Sequence, residues 1–72
     1  MTFRLQVHAS SPERVAEHAS ERSGAIAWTP GTPFLTVTHS SRERALVHAT
    51  LMACAIIERE LPGIRLDGIT AT

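Results

Sequence analysis

Phe3, Leu5, Val7 and Ala9 alternate with Arg4, Gln6 and His8, and this period of two predicts a strand with one face buried and the other polar. Ser10-Ser11-Pro12-Glu13 follows. It supplies a hydroxyl for an N-cap, a proline for the first helical position and an acid for the first turn, where the helix dipole favours negative charge. The predicted helix runs to about Arg22. Val15, Ala16 and Ala19 form a narrow apolar stripe, and Glu13, Arg14, Glu17, His18 and Glu21 face water. Ser23-Gly24 ends it.

Ala25 to Thr29 and Phe34 to His39 are short β-like runs joined by Thr29-Pro30-Gly31-Thr32-Pro33. Pro-Gly suits the two central positions of a type II turn, so the pair is expected to form a hairpin. Ser40-Ser41-Arg42-Glu43 has the form of a capping box, in which the Ser40 hydroxyl accepts from the Glu43 amide while the Glu43 carboxylate reaches back. A second helix is expected from there through Leu61, about 20 residues or ~30 Å, until Pro62-Gly63 stops it. Ile64, Leu66 and Ile69 then mark a last strand interrupted by Gly68.

The resulting order is β-α-β-β-α-β within one α+β domain spanning residues 1–72. Each helix joins two strands that must run parallel to one another. Right-handed crossovers would then give a ferredoxin-like split sandwich: an antiparallel sheet in the order 4-1-3-2, with both helices on one face. A less regular β-α-β-β-α core is the alternative. The resemblance stops at the fold level. Metal-binding chains of this shape carry Cys-x-x-Cys after the first strand, where Val7-His8-Ala9-Ser10 stands here.

The second helix is apolar too far round. A projection at 100° per residue puts Leu46, Ala49, Ala53, Ile56 and Ile57 on the stripe that should meet the sheet. Val47, Leu51 and Cys54 on one flank and Ala45 and Met52 on the other extend the apolar arc to roughly 200°, where a sheet-covered helix needs about 100°. Monomers seldom expose a contiguous apolar patch, so a second copy or another protein is expected to cover it. The candidate interface residues are Val47, Leu51, Met52, Cys54 and Ala55, with Trp28 as a possible anchor beside the hairpin turn. The competing reading folds Trp28 or Phe34 over that flank and completes a monomeric core.

Composition narrows the partners. Seven arginines balance seven acids, so no net field attracts phosphate backbones or anionic lipid, and neither nucleic acid nor membrane is an expected partner. A chain of 72 residues buries about 60% of the surface its unfolded form exposes, which leaves it marginally stable. Cys54 is the only cysteine, so no internal disulfide can form; with no basic region leading an apolar run at the N-terminus, the expected compartment is the cytoplasm.

Candidate chemistry is sparse. His8, His18, His39 and His48 are many for this length, but no two lie at i,i+4 on a helix and no second thiol accompanies Cys54, so no metal site is predicted. His8, His18 and His48 read as surface residues and His39 as structural. Ser10, Ser11, Ser40 and Ser41 are assigned to capping, and the acids show no close pair for general acid and base work. An RNA-binding sheet would display aromatic residues where Arg4, Gln6, His8, Thr36 and Thr38 stand. The sequence therefore points to a non-enzymatic accessory or regulatory module without catalytic residues, cofactor or metal. The alternatives are a sensor taking a small molecule or anion between subunits, near the helix N-termini and the turn between the first strand and first helix, and a weak enzyme with an interfacial site drawn from His8, His39 or His48.

Overall fold

The computed structural model describes residues Met1–Thr72. Strand β1 (Thr2–Ala9) is followed by helix α1 (Pro12–Arg22), strands β2 (Ile26–Trp28) and β3 (Phe34–Thr38), helix α2 (Arg42–Arg59) and strand β4 (Leu66–Ala71). The four strands form one sheet in the order β2-β3-β1-β4, and every neighbouring pair is antiparallel. The fold is α+β, and its arrangement is compatible with a ferredoxin-like one.

The alternation in β1 is realised as a two-faced strand. Leu5 and Val7 are fully enclosed, and Leu5 pairs with Leu35 of β3 on the same face. Ile26 of β2 lies beside Val37, and Ile69 of β4 beside Val7. Against this face α1 lays Val15, Ala16 and Ala19, the stripe its sequence predicts. Thirteen buried residues, all apolar, make a single cluster shared by the sheet and both helices.

The hairpin turn follows its residue types. Gly31 has φ +82°, the value required after proline in a type II turn, and the Thr32 amide donates to the Thr29 carbonyl at 3.2 Å. Gly68, at φ +151°, faces His8 next to the point where the β1–β4 register shifts.

Several local expectations are corrected. The cap of α2 is Ser41, whose hydroxyl accepts from the Arg44 amide at 3.2 Å, so the helix starts one residue later than a Ser40–Glu43 box would set it. It ends at Arg59 rather than Leu61, with the Glu60 amide still bonded to the Ile56 carbonyl. The last strand begins at Leu66, two residues beyond Ile64, because the Ser10 hydroxyl and amide engage the Arg65 backbone and hold the approach to β4 in place. Ser10 is thus a cross-link rather than a cap, and Ser11, at the N-cap of α1, makes no side-chain capping bond. Of the four serines assigned to capping, only Ser41 does so.

The phase of α2 also differs from the projection. Its buried stripe is Ala45, Ala49, Ala53 and Ile56, while Leu46 and Ile57 are half-buried. Ala45 belongs to the packed face, not to the surplus flank. Three alanines and Ile56 fill the contact with the core, and the rotation that seats them leaves Val47 and Leu51 facing outward.

Candidate functional site

The outer face of α2 carries the feature that sets this chain apart. Val47 is 59% exposed and Leu51 66%, and apart from Met1 they are the only large apolar side chains so exposed. Cys54 and Ala55 are exposed beside them, and Met52 is half-buried. The helix thus buries alanines and presents a valine and a leucine to solvent, the reverse of the ordinary division of side-chain size between core and surface.

Neither aromatic residue of the hairpin shields this face. Phe34 pairs with Gln6 on the open side of the sheet, opposite the helices, where the Arg4 guanidinium lies 4.1 Å from its ring centroid. The open face, read from sequence as Arg4, Gln6, His8, Thr36 and Thr38, therefore includes one aromatic ring. That ring belongs to Phe34, the first residue of β3, which the competing reading would fold over the flank of α2. Trp28 is half-buried against the core, and its indole N–H donates to the Thr32 carbonyl at 2.7 Å, so its polar atom is satisfied inside its own turn.

Val47 and Leu51 form a ridge between two hollows. The larger, about 610 Å³, runs past Met52 and Ala55 and is closed at one end by polar groups, His39, Glu43, Arg44 and His48. The smaller, about 240 Å³, lies on the other side of the ridge with Leu46 and Thr50 along its wall.

The polar end of the larger hollow contains a pair the sequence spacing does not reveal. His39 Nε2 and His48 Nδ1 are 3.1 Å apart, with the rings nearly perpendicular at 86°. One ring donates and the other accepts, so at least one imidazole is neutral when the bond is made. His48 Nε2 lies 3.4 Å from Ser23 Oγ, and the Ala25 amide donates to that hydroxyl oxygen at 3.3 Å. The chain His39–His48–Ser23 ties the β3–α2 junction and the flank of α2 to the end of α1. His48 is thereby a half-buried partner of His39 rather than a free surface residue. No third ligating side chain stands close enough to complete a metal site with the pair. His8 is remote from them, on the open face, bonded to Thr70 across β1 and β4 at 2.8 Å.

A second polar cluster is also a product of tertiary structure. Glu60 accepts from Arg22 Nη2 at 2.6 Å and lies 3.3 Å from His18 Nδ1. The arginine bond, more than any other influence, holds the Glu60 carboxyl below its ordinary range, against a smaller opposing effect of burial. No helix of the chain is long and apolar enough to cross a membrane. No protein-family model, no curated protein and no solved structure matches the chain.

Proposed function

We propose that this chain is a small non-enzymatic accessory or regulatory module of the cytoplasm, built as a ferredoxin-like split sandwich, that works by docking the outer face of α2 against another polypeptide. The observation that carries the reading is the solvent exposure of Val47 and Leu51 on a helix whose buried stripe is mostly alanine. Full burial of a Val or Leu side chain is worth about 1.5 to 3 kcal/mol, and the ridge forgoes more than half of that at each position in an isolated chain. A domain of this size has roughly 4 to 11 kcal/mol of total stability, so covering the ridge is a sizeable gain. Cys54, Ala55 and Met52 extend the same surface.

The decisive experiment is light scattering coupled to size exclusion, on the wild type and on Leu51→Glu. A self-associating wild type converted to monomer by the substitution agrees with the reading. A wild type that stays monomeric at millimolar concentration, with an unchanged profile for Leu51→Glu, overturns it.

The His39–His48 pair at the edge of the larger hollow favours a second reading, a sensor that takes a small ligand with an anionic head beside Arg44 and an apolar body along Val47. Thermal shift against amino acids, nucleotides and simple anions tests it, because a ligand at 100 times its dissociation constant stabilises by about 2.7 kcal/mol. A panel without any shift removes it.

A further inference from the structure

The charges at the two ends of the α2 ridge identify what covers it. At 100° per residue, Arg44, Val47, Leu51, Cys54, Ala55 and Glu58 all fall within about 60° of the line through Leu51, on the side opposite the buried alanines. All six are exposed. Arg44 and Glu58 each lie seven residues from Leu51 and within about 20° of that line, and neither forms a salt bridge within the chain. Glu43 and Arg59 lie about 80° aside on the same projection, Glu43 at the rim of the larger hollow beside Arg44. The stripe is therefore an apolar centre with a free cation at one end and a free anion at the other, spaced equally about its middle residue.

We infer that the partner is a second copy of this chain, with the two α2 helices packed antiparallel about a two-fold axis at Leu51. This rests on the docking role proposed above and specifies its partner and geometry. Antiparallel packing sets Arg44 of each subunit against Glu58 of the other, so the two ion pairs form at both ends of one interface. Parallel packing would instead oppose arginine with arginine and glutamate with glutamate, which disfavours it. The small side chains of Cys54 and Ala55 let the helix axes approach to about 8 to 10 Å, and Val47 of one subunit then settles beside Cys54 of the other.

Two variants test the geometry on the full chain. In Val47→Cys, antiparallel helices bring the new thiol about 6 Å, Cα to Cα, from Cys54 of the other subunit, inside disulfide range. Oxidised glutathione should then yield a covalent dimer whose peptide mass spectrum contains the 47–54 link. Parallel helices would give a 47–47 link. In sedimentation equilibrium, Arg44→Glu and Glu58→Arg should each weaken the dimer by about tenfold, and the double charge swap should restore it. Positions 44 and 58 are too far apart on one helix to interact, so restoration cannot arise within a subunit. A 47–47 link, or a dimer dispersed by Leu51→Glu yet indifferent to the charge changes, overturns the antiparallel arrangement and leaves the docking role standing. A wild type that is monomeric throughout overturns both.

Discussion

Arg22 and Glu60 sit 2.6 Å apart, joining the last turn of α1 to the residue that ends α2. His18 approaches the same carboxylate from one turn earlier on α1, so a single acid receives two basic side chains from a neighbouring helix. The contact fixes the relative position of the two helix ends.

Stability should therefore fall in acid in a particular way. The folded-state pKa of Glu60 is lowered, chiefly by the Arg22 hydrogen bond. Its contribution is fully present above the unfolded carboxylate's pKa and is lost as pH falls through the lower folded value. Thermal melts of wild type and Glu60→Gln should differ at neutral pH, with the wild type the more stable, and converge at the acid end. Curves that stay parallel down to the acid limit would contradict this role. High salt should narrow the gap, since Arg22 is more than half exposed.

The reversed size pattern of α2 makes opposite predictions for its two faces. Ala49 is fully buried between helix and sheet, so Ala49→Leu should destabilise the subunit by about 1 to 3 kcal/mol through overpacking. Leu51→Ala changes the apolar volume by the same amount yet should alter subunit stability by no more than about 0.5 kcal/mol, because the side chain faces solvent. Urea denaturation of dilute samples, where association is absent, checks both values.

Gly31 occupies the left-handed region at φ +82° in the turn between β2 and β3. Gly31→Ala should cost about 1 to 2 kcal/mol, and Gly31→Asn distinctly less, since asparagine tolerates that conformation. No side chain would clash there, as open space surrounds the position, so the measured loss reports backbone conformation alone. Chemical denaturation of the two variants should rank them in that order.

Adjacent serines before α2 should also separate. Ser41→Ala deletes the oxygen that accepts from the Arg44 amide and should cost about 1 kcal/mol, while Ser40→Ala should fall within about 0.5 kcal/mol of wild type. A larger loss at Ser40 than at Ser41 would place the cap back at Ser40.

Much of this architecture is legible in the residue order. The alternation from Phe3 to Ala9, the Pro30-Gly31 turn and the Val15-Ala16-Ala19 stripe each express a local rule of backbone geometry or periodicity, and each element lies where its pattern puts it. Boundaries that depend on long-range bonds do not. Ser10 is drawn from capping by the Arg65 backbone, 55 residues away, and the start of β4 moves with it.

The apolar excess of α2 is likewise a property of the sequence, whereas its direction is not. Periodicity counts how much of the helix is greasy, but the rotation of the cylinder is chosen by packing, and close approach to the sheet selects the alanines over the bulkier Leu46 and Ile57. That choice leaves Val47 and Leu51 outermost, between Arg44 and Glu58. The pairings His39 with His48 and Glu60 with Arg22 and His18 arise the same way: each joins groups on different elements, and only the folded chain brings them within bonding distance. Local chain chemistry thus determined the elements and their amphipathic content, and tertiary packing decided which faces and which polar groups meet.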